Sequence, residues 1–215
     1  MPQVIEITVY TFDELTERAQ SRARDWYRTA SAHDEWWDFV YEDFEAVCAC
    51  LGIEIKRVPI SRSKPGGARR PCIWFSGFCH QGDGASFEGT WRYPKGMSKD
   101  IRAYAPTDTK LHEIADQLHA AQKPNFYQLV AEISQSGRYC HENTMRFAIE
   151  RDAPTYHDIV GDTEEVVIEA MRALARWLYR KLEAEYEHLN SDEEVAEMII
   201  SNDYTFTGDA ARFGP

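Results

Sequence analysis

Hydrophobic positions along the chain follow two different spacings, and together they predict the elements of an α+β fold. Apolar residues three and four positions apart are typical of helices that bury one face. This spacing predicts six helices, at residues 12–29, 34–51, 98–105, 108–122, 163–189 and 192–201. Alternation of apolar and polar residues predicts single strands at 4–10 and 53–59 and hairpins at 73–93 and 126–150. Hairpins between helices, without regular strand–helix–strand alternation, indicate an antiparallel sheet built from hairpins, with helices packed mainly on one face.

No internal repeat and no segment of linker composition divides these elements, so we predict a single domain over residues 1–215. Two stretches lack a hydrophobic pattern. The glycine-, proline- and arginine-rich stretch at about 61–70 predicts a mobile loop, and the residues from about 202 onward predict a polar C-terminal tail. The chain has neither a signal-peptide pattern nor an apolar run of about 18 residues, and we therefore expect a cytoplasmic protein.

The hairpin at 73–93 is the element around which the rest of the chain is organised. Its turn places Asp83 between Gly82 and Gly84, and glycine tolerates the positive φ angles that tight turns require. Other polar side chains lie at the tip or just below it, namely Ser76, Gln81, Ser86, Glu88 and Arg92. Two interpretations stay open: the tip only turns the chain, or the Asp83 carboxylate projects toward a ligand or partner.

The exposed face of the predicted sheet carries charges of both signs. Depending on register, the second hairpin adds either His141 or Glu142 to this face, near the turn that contains Arg138. Such charges either form a solvated ladder across the strands or line a cleft that binds a polar ligand. The two turns are expected to be able to meet at one end of the sheet. The candidate ligand- or partner-binding residues are Ser76, Gln81, Asp83, Ser86, Glu88, Arg92, Arg138, His141 and Glu142.

The overall charge limits the possible partners. The net charge is −12 and the isoelectric point is near 5.0, so direct nucleic-acid binding and binding to anionic membranes are not expected. Two explanations of this charge stay open: the protein binds a partner with a basic surface, or it is an ordinary soluble protein with an acidic exterior. The one dense basic stretch, Arg18, Arg22, Arg24 and Arg28, is predicted to be a solvated helix face whose arginines pair with nearby carboxylates.

Neither the cysteine spacing nor any known catalytic motif identifies a metal site or a reaction in this sequence. Cys48 and Cys50 are the closest pair among five cysteines, and on a helix two residues so spaced point to different sides. We predict free thiols, no metal site and no cofactor. The sequence contains no P-loop, nucleophile elbow, HExxH or dinucleotide-binding fingerprint, and it therefore assigns no catalytic residue.

Three segments carry a resemblance to a known group of proteins: SGFCHQGDGASFEG at 76–89, YTFDELTERAQSRARDWYR at 10–28 and GRYCHENTM at 137–145. Together they resemble a family of tailed-phage and prophage proteins often labelled as the antitoxin of a toxin–antitoxin stability system. The resemblance covers residues 10–145. The sequence departs from the family at Cys79 and His80, where the family has an aromatic residue and a serine, so His80 is not expected to be catalytic. The resemblance implies a phage accessory protein of the kind that blocks host defence.

These observations lead to two hypotheses of function. In the first, the protein inhibits a host defence system in an anti-CRISPR-like or antitoxin-like manner, by binding a host defence or toxin protein with a basic surface. In the alternative, it is a pocket protein that sequesters or hydrolyses a nucleotide-like immune signal. Arg92, Arg138 or Arg146 would then bind phosphates, and Gln81, Asp83 or Glu88 would bind the rest of the molecule.

Overall fold

The computed structural model of the chain describes residues 6–31, 35–60, 67–154 and 158–214. It confirms an α+β fold with antiparallel sheets. In the described residues the helices are α1 (Glu17–Ala30), α2 (Asp38–Leu51), α3 (Met97–Tyr104), α4 (Thr109–Gln122), α5 (Thr163–Leu189) and α6 (Asp192–Ser201). The strands are β1 (Ile53–Ile55), β2 (Arg57–Pro59), β3 (Arg69–Pro71), β4 (Ile73–Phe75), β5 (Ala85–Phe87), β6 (Gly89–Arg92), β7 (Leu129–Gln135), β8 (Met145–Arg151), β9 (Thr205–Phe206) and β10 (Arg212–Phe213).

The predicted bounds of the later helices are confirmed to within a residue, because capping side chains fix where these helices begin. The Asp108 carboxylate accepts the backbone N–H of Leu111 at 3.2 Å and begins α4. In the same way the Ser191 hydroxyl accepts the N–H of Glu194 at 3.2 Å and begins α6. A side-chain acceptor at this position satisfies a backbone donor that the helix itself leaves without a partner.

The N-terminal predictions are only partly correct. The helix expected from residue 12 divides into a short 3-10 turn and then α1, because the Thr16 hydroxyl accepts the N–H of Ala19 and starts a new helix there. The strand expected at 4–10 is wrong for residues 6–9, which pair with no strand, and residues 4–5 lie outside the described residues. Only Tyr10 forms a bridge, to Phe206. The helix expected from residue 34, itself outside the described residues, begins at Asp38.

The strands differ most from the prediction. Residues 53–59 form two strands: β1 joins the main sheet, whereas β2 pairs with β3. The second half of the predicted central hairpin also divides, since β5 pairs with β4 but β6 lies between β1 and β7. In the predicted 61–70 loop, residues 61–66 lie outside the described residues, and Arg69 and Arg70 belong to β3. Strand pairing is set by distant partners, which a local pattern does not contain.

The main sheet has the strand order β1-β6-β7-β8, with every pair antiparallel. On one face Ile53, Trp91, Ala131 and Ile133 are buried, and the Trp91 indole donates to the Leu51 carbonyl at 3.1 Å. The opposite face carries the exposed side chains Glu54, Thr90, Arg92, Glu132, Arg146 and Glu150. The prediction of a sheet face with charges of both signs is therefore confirmed, but two residues expected on it, Glu88 and Glu142, lie outside the four strands of this sheet.

The chain divides into two compact units, residues 38–183 and residues 1–37 with 184–215. We call these the larger unit and the terminal unit. The terminal unit has its own buried cluster, made of Phe12, Leu15, Ala19, Ala23, Val195, Ile199, Phe206 and Ala210. The expectation of a polar tail from residue 202 is wrong, because Phe206 is fully buried in this cluster and β9 pairs with β10. Cooperative unfolding as one domain stays a prediction.

Two arginines of α1, Arg24 and Arg28, pair with nearby carboxylates, as predicted. Asp192 accepts from Arg28 at 2.6 Å and lies 3.3 Å from Arg24, and Arg28 also pairs with Asp25 at 3.2 Å. These contacts join α1 to α6 within the terminal unit. Among the described helices, none combines the length and the apolar composition needed to cross a membrane.

Candidate functional site

The turn that connects β4 and β5 spans residues 76–84 and is held by the Asp83 carboxylate. One oxygen, Oδ2, accepts the backbone N–H of Cys79 at 2.9 Å and that of His80 at 2.7 Å. The N–H of His80, with smaller contributions from that of Cys79 and from Ser76, lowers the pKa of Asp83 below its ordinary value against the opposing effect of burial. Gly82 has a φ of +97°, as the turn requires. Asp83 therefore closes its own turn through one carboxylate oxygen.

The turn is anchored to α5 by an aromatic contact and a hydrogen bond. Phe78 lies with its ring centroid 5.7 Å from that of Phe75 and 5.4 Å from that of Tyr179. The Tyr179 hydroxyl donates to the Gly77 carbonyl at 3.0 Å. Burial raises the pKa of Tyr179, with negative charge at Glu183 and Asp83 adding to it, so the phenol keeps the proton that this bond needs. These contacts hold the hairpin tip against α5.

The two hairpin turns meet, as the sequence suggested. A Cβ atom added to Gly84 would lie 2.4 Å from the Cβ of His141 and 3.3 Å from the Cys140 carbonyl oxygen, so only glycine fits here. His141 begins a 3-10 turn, and its Nδ1 accepts the N–H of Asn143 at 3.1 Å. Glu142 lies in that turn, 3.7 Å from Nη1 of Arg176.

The structure brings some of the predicted site residues together and separates others. Ser76 and Asp83 share the first turn, and His141 and Glu142 share the second. Glu88 is bound elsewhere: it accepts from Lys56 Nζ at 2.6 Å and from the Gln135 N–H at 3.2 Å. Gln81 in the first turn and Arg138 in the second turn are exposed. Arg92 pairs with Asp152 at 2.7 Å.

The prediction of a polar, accessible side of the hairpin is wrong at Ser86. It was expected to be accessible with Glu88 and Arg92, but β5 is buried on both faces and Ser86 is fully buried. Its hydroxyl makes no hydrogen bond to any described residue. The alternating pattern fails here because a short strand covered on both sides has no solvent face. Ser86 is therefore inaccessible to a partner.

A cleft of about 580 Å³ lies in the larger unit between α2, the α3–α4 connection and α5. The Tyr104 hydroxyl donates to Asp43 at 2.6 Å, and this bond, followed by burial, raises the pKa of Tyr104 to about 12. The Trp177 indole donates to Asp108 at 2.8 Å. Lys181 lies 3.7 Å from Asp108 and 5.2 Å from the centre of the Trp177 ring.

Sequence reasoning missed this cleft because its residues come from three separate segments of the chain. The only local signal lay at Asp108, where the predicted helix at 108–122 begins. The volume is in the range of small-molecule sites, and the lining combines two ammonium groups, Lys110 and Lys181, with aromatic rings. In the described part of the chain, no three His, Cys, Asp or Glu side chains are grouped to hold a metal ion.

Charge is distributed unequally between the two units. Residues 38–183 contain 19 Lys or Arg against 21 Asp or Glu, which leaves a formal charge of −2. The other 69 residues contain 5 against 15, which leaves −10. On α6, Glu193 and Glu197 lie one turn apart and exposed, whereas Val195 and Ile199 face the buried cluster. The acidity of the protein is therefore largely a property of the terminal unit.

The fold and these surfaces define an α+β protein with a rigid hairpin-turn surface, an open helical cleft and a separate acidic unit. The chain belongs to the family described as Domain of unknown function (DUF8835), whose model matches residues 36–192. No curated protein and no solved structure matches the chain.

Proposed function

We propose that the protein acts by binding, with the acidic terminal unit contacting a partner that has a basic surface. The observation that supports this proposal is the division of charge, −10 in 69 residues against −2 in the other 146. A concentrated field of one sign steers association with an oppositely charged protein and excludes partners of like charge. Asp83 and Glu88 are bonded within the larger unit, which favours the terminal unit over the hairpin tip as the contact surface.

The partner proposed from the resemblance is a host defence or toxin protein, and the protein would then be a phage or prophage accessory factor acting in the host cytoplasm. An acidic inhibitor of this kind covers a basic, functional surface of its target. The contacts would be electrostatic, so salt is expected to weaken the complex by screening exposed charges.

Charge reversal on α6 tests this proposal. Glu193→Lys with Glu197→Lys should abolish the protection of an infecting phage on a defence-competent host, measured as efficiency of plating. The matched control is Glu54→Lys with Glu132→Lys, two exposed positions of the main sheet that change the net charge by the same amount. Thermal melts confirm that all variants are folded. Equal protection by both double variants, or loss in the control alone, contradicts the proposal.

A second function is favoured by the helical cleft. Lys110 and Lys181 line the cleft together with the exposed Tyr104 ring, and this combination suits a nucleotide-like molecule, because ammonium groups bind phosphate and an aromatic ring accepts a planar base. We propose sequestration of such a molecule as the alternative. Native mass spectrometry of protein purified from cells should then detect a retained ligand that Lys181→Met releases, with Lys99→Met as the exposed control. Absence of any retained mass argues for the first function.

A further inference from the structure

Strand β8 (Met145–Arg151) forms one edge of the main sheet. It pairs with β7 along all seven of its residues without a bulge. The strand at the opposite edge, β1, has only three residues. Among the described residues, no strand pairs with the outer side of β8. We call this outer side the β8 edge, and it is the longer of the two edges of the main sheet.

The hydrogen bonds between β7 and β8 show which backbone groups point outward. The Ser136 N–H donates to the Thr144 carbonyl at 3.1 Å, and the Asp152 N–H donates to the Gln128 carbonyl at 2.8 Å. In an antiparallel pair, residues that bond to the neighbouring strand alternate with residues whose N–H and C=O groups point away from it. The even-numbered residues of β8 therefore bond to β7, and the odd-numbered residues direct their backbone groups outward.

Phe147 and Ile149 are the odd-numbered residues in the middle of β8. Their outward N–H and C=O groups have no hydrogen-bond partner in the part of the chain that the structure describes. A row of such groups is a template on which another strand can pair. Strand β8 contains neither proline nor glycine, the residues that interrupt or weaken strand pairing. The β8 edge can therefore accept a further strand.

The side chains of β8 are arranged symmetrically about Ala148. Arg146 and Glu150 lie two residues to either side of it on the exposed face of the sheet. Phe147 and Ile149 lie next to it on the other face, where both are half-buried. Neither Arg146 nor Glu150 forms an ion pair with another described residue. The exposed face of the edge thus presents one positive and one negative charge at equal distances from Ala148.

We propose that β8 pairs with β8 of a second copy of this chain, antiparallel and about a two-fold axis at Ala148. The two main sheets then join into one. In this register Arg146 lies opposite Glu150 of the second copy, and the same pair forms again on the other side of the axis. Phe147 lies opposite Ile149 of the second copy and exchanges backbone hydrogen bonds with it. Cross-strand pairs of opposite charge and of apolar side chains stabilise a sheet.

The order of charges favours a second copy as the occupant of the β8 edge. Moving the axis to Arg146 or to Glu150 would place like charges opposite each other, which destabilises a strand pair. Charges of a single sign along an edge block pairing, whereas one arginine and one glutamate placed symmetrically permit it in this register. A strand of another protein would need both charges in reversed order, and a second copy supplies them by symmetry.

The charge of the larger unit is compatible with this pairing. Strand β8 belongs to the larger unit, whose formal charge is −2, so little net repulsion opposes the approach of two larger units. The acidic terminal unit supplies none of the paired residues. Dimerisation through β8 is therefore tested separately from the proposed function of the terminal unit.

Charge reversal at the two exposed positions tests the pairing. The native chain, of 24.8 kDa, should sediment in the analytical ultracentrifuge with twice that mass at about 100 μM, which populates a dimer of micromolar Kd. Arg146→Glu and Glu150→Arg each place like charges opposite each other on both sides of the axis. Each should weaken dimerisation at least about tenfold. Both side chains are exposed, so the circular dichroism spectrum should not change.

Two combinations restore the complementary pairs. The double variant, Arg146→Glu with Glu150→Arg, exchanges the charges and should dimerise as the native chain does. A mixture of the two single variants should form a heterodimer, because each glutamate of one variant then lies opposite an arginine of the other. Glu54→Arg is the matched control, since Glu54 is an exposed glutamate on the opposite edge strand, and it should leave the dimer unchanged.

The sedimentation results decide whether β8 pairs with itself. Loss of the dimer in both single variants, with recovery in the double variant and in the mixture, supports the proposal. A native chain that sediments as a monomer at this concentration overturns it and leaves the β8 edge to a strand of another protein. A dimer that both single variants retain also overturns it, as does a lost dimer that either combination fails to restore.

Discussion

The larger unit and the terminal unit are built on the same principle inside but differ on their surfaces. The larger unit buries Phe44, Phe87 and Trp177 against one another, and the terminal unit buries Phe12 and Phe206 in a smaller cluster. In each, ion pairs join neighbouring elements. Yet the larger unit has a formal charge of −2 and the terminal unit one of −10. The excess carboxylates of the terminal unit lie outside its buried cluster, and their concentration is the basis of the proposed binding surface.

The family match adds to this contrast. It covers residues 36–192, which include the whole of the larger unit but only a short part of the terminal unit. The helical cleft and the hairpin turns lie inside the matched range. The larger unit is the part of the chain that defines the family, and the terminal unit carries most of the charge.

Truncation of one core phenylalanine in each unit has the largest expected effect and tests whether the two units unfold together. Phe87→Ala and Phe206→Ala each remove a fully buried ring, at a cost of about 3–5 kcal/mol in the free energy of unfolding. A single domain predicts one calorimetric transition that both substitutions lower. Phe39→Ala, at a residue that is 82% exposed, is the control. Two resolved transitions, each shifted by only one substitution, would contradict the single-domain prediction.

Two glycine-to-alanine substitutions, one in each unit, are expected to have the next largest effect on the free energy of unfolding. Gly84→Ala places a methyl group 2.4 Å from the His141 Cβ in the larger unit and should cost about 1–3 kcal/mol. Gly208→Ala in the terminal unit meets only Tyr10 at 3.6 Å and should change the free energy of unfolding little. Urea denaturation measures both. Equal effects would mean that the two turns of the larger unit do not pack as closely as described.

Asp108→Ala removes a helix cap in the larger unit and leaves the Trp177 indole N–H without its acceptor. The expected loss is about 1 kcal/mol in the free energy of unfolding. Burial opposes ionisation of Asp108, but the bonds from Trp177 and Leu111 and the charge of Lys181 outweigh it and lower its pKa. The stabilisation is therefore present above the unfolded pKa of about 3.9 and is lost as pH falls through the lower folded value. A destabilisation that persists unchanged in acid would refute this assignment.

Asp83→Asn should have the smallest effect on stability, and it distinguishes a structural tip from a binding tip. The amide keeps one acceptor oxygen but not the charge, so the melting temperature should fall slightly near neutral pH. Because the pKa of Asp83 is lowered in the fold, this difference from the native chain should vanish as pH falls through that folded value. Protection of the phage should follow the amount of folded protein. Gln81→Ala, at an exposed neighbour, is the control. Loss of protection without loss of folded protein would restore a direct binding role to Asp83.

The sequence predicted the helices well because their signals are local. Asp108 and Ser191 cap α4 and α6, and the apolar spacing continues to the end of each helix. The strands were predicted less well because their partners are distant. Residues 85–87 pair with β4, whereas residues 89–92 pair within the main sheet. Nothing in the sequence near Ser86 indicates this change of partner. Likewise, the pairing of Arg70 with Val58 is absent from the local composition of its segment.

The sequence predicted that the two hairpin turns meet, but it did not predict which groups the side chains of the site bind. The glycines and the second turn suggested that two tips meet, and Gly84 against His141 confirms it. The role of Asp83 depends on where the backbone N–H groups of Cys79 and His80 point, which the order of residues does not state. The exposed rings of Phe126 and Tyr127 were missed because they stand in a left-handed turn, and these residue types carry no turn signal.

The central claim is that the acidic terminal unit, and not the hairpin tip, contacts the partner. Hydrogen–deuterium exchange on the complex captured from extracts of the host, compared with the free protein, tests this claim most directly. The account predicts slower amide exchange across α6 (Asp192–Ser201) and no change across residues 76–84. Slower exchange across residues 76–84, with α6 unchanged, would contradict the account and place the binding surface on the hairpin turns.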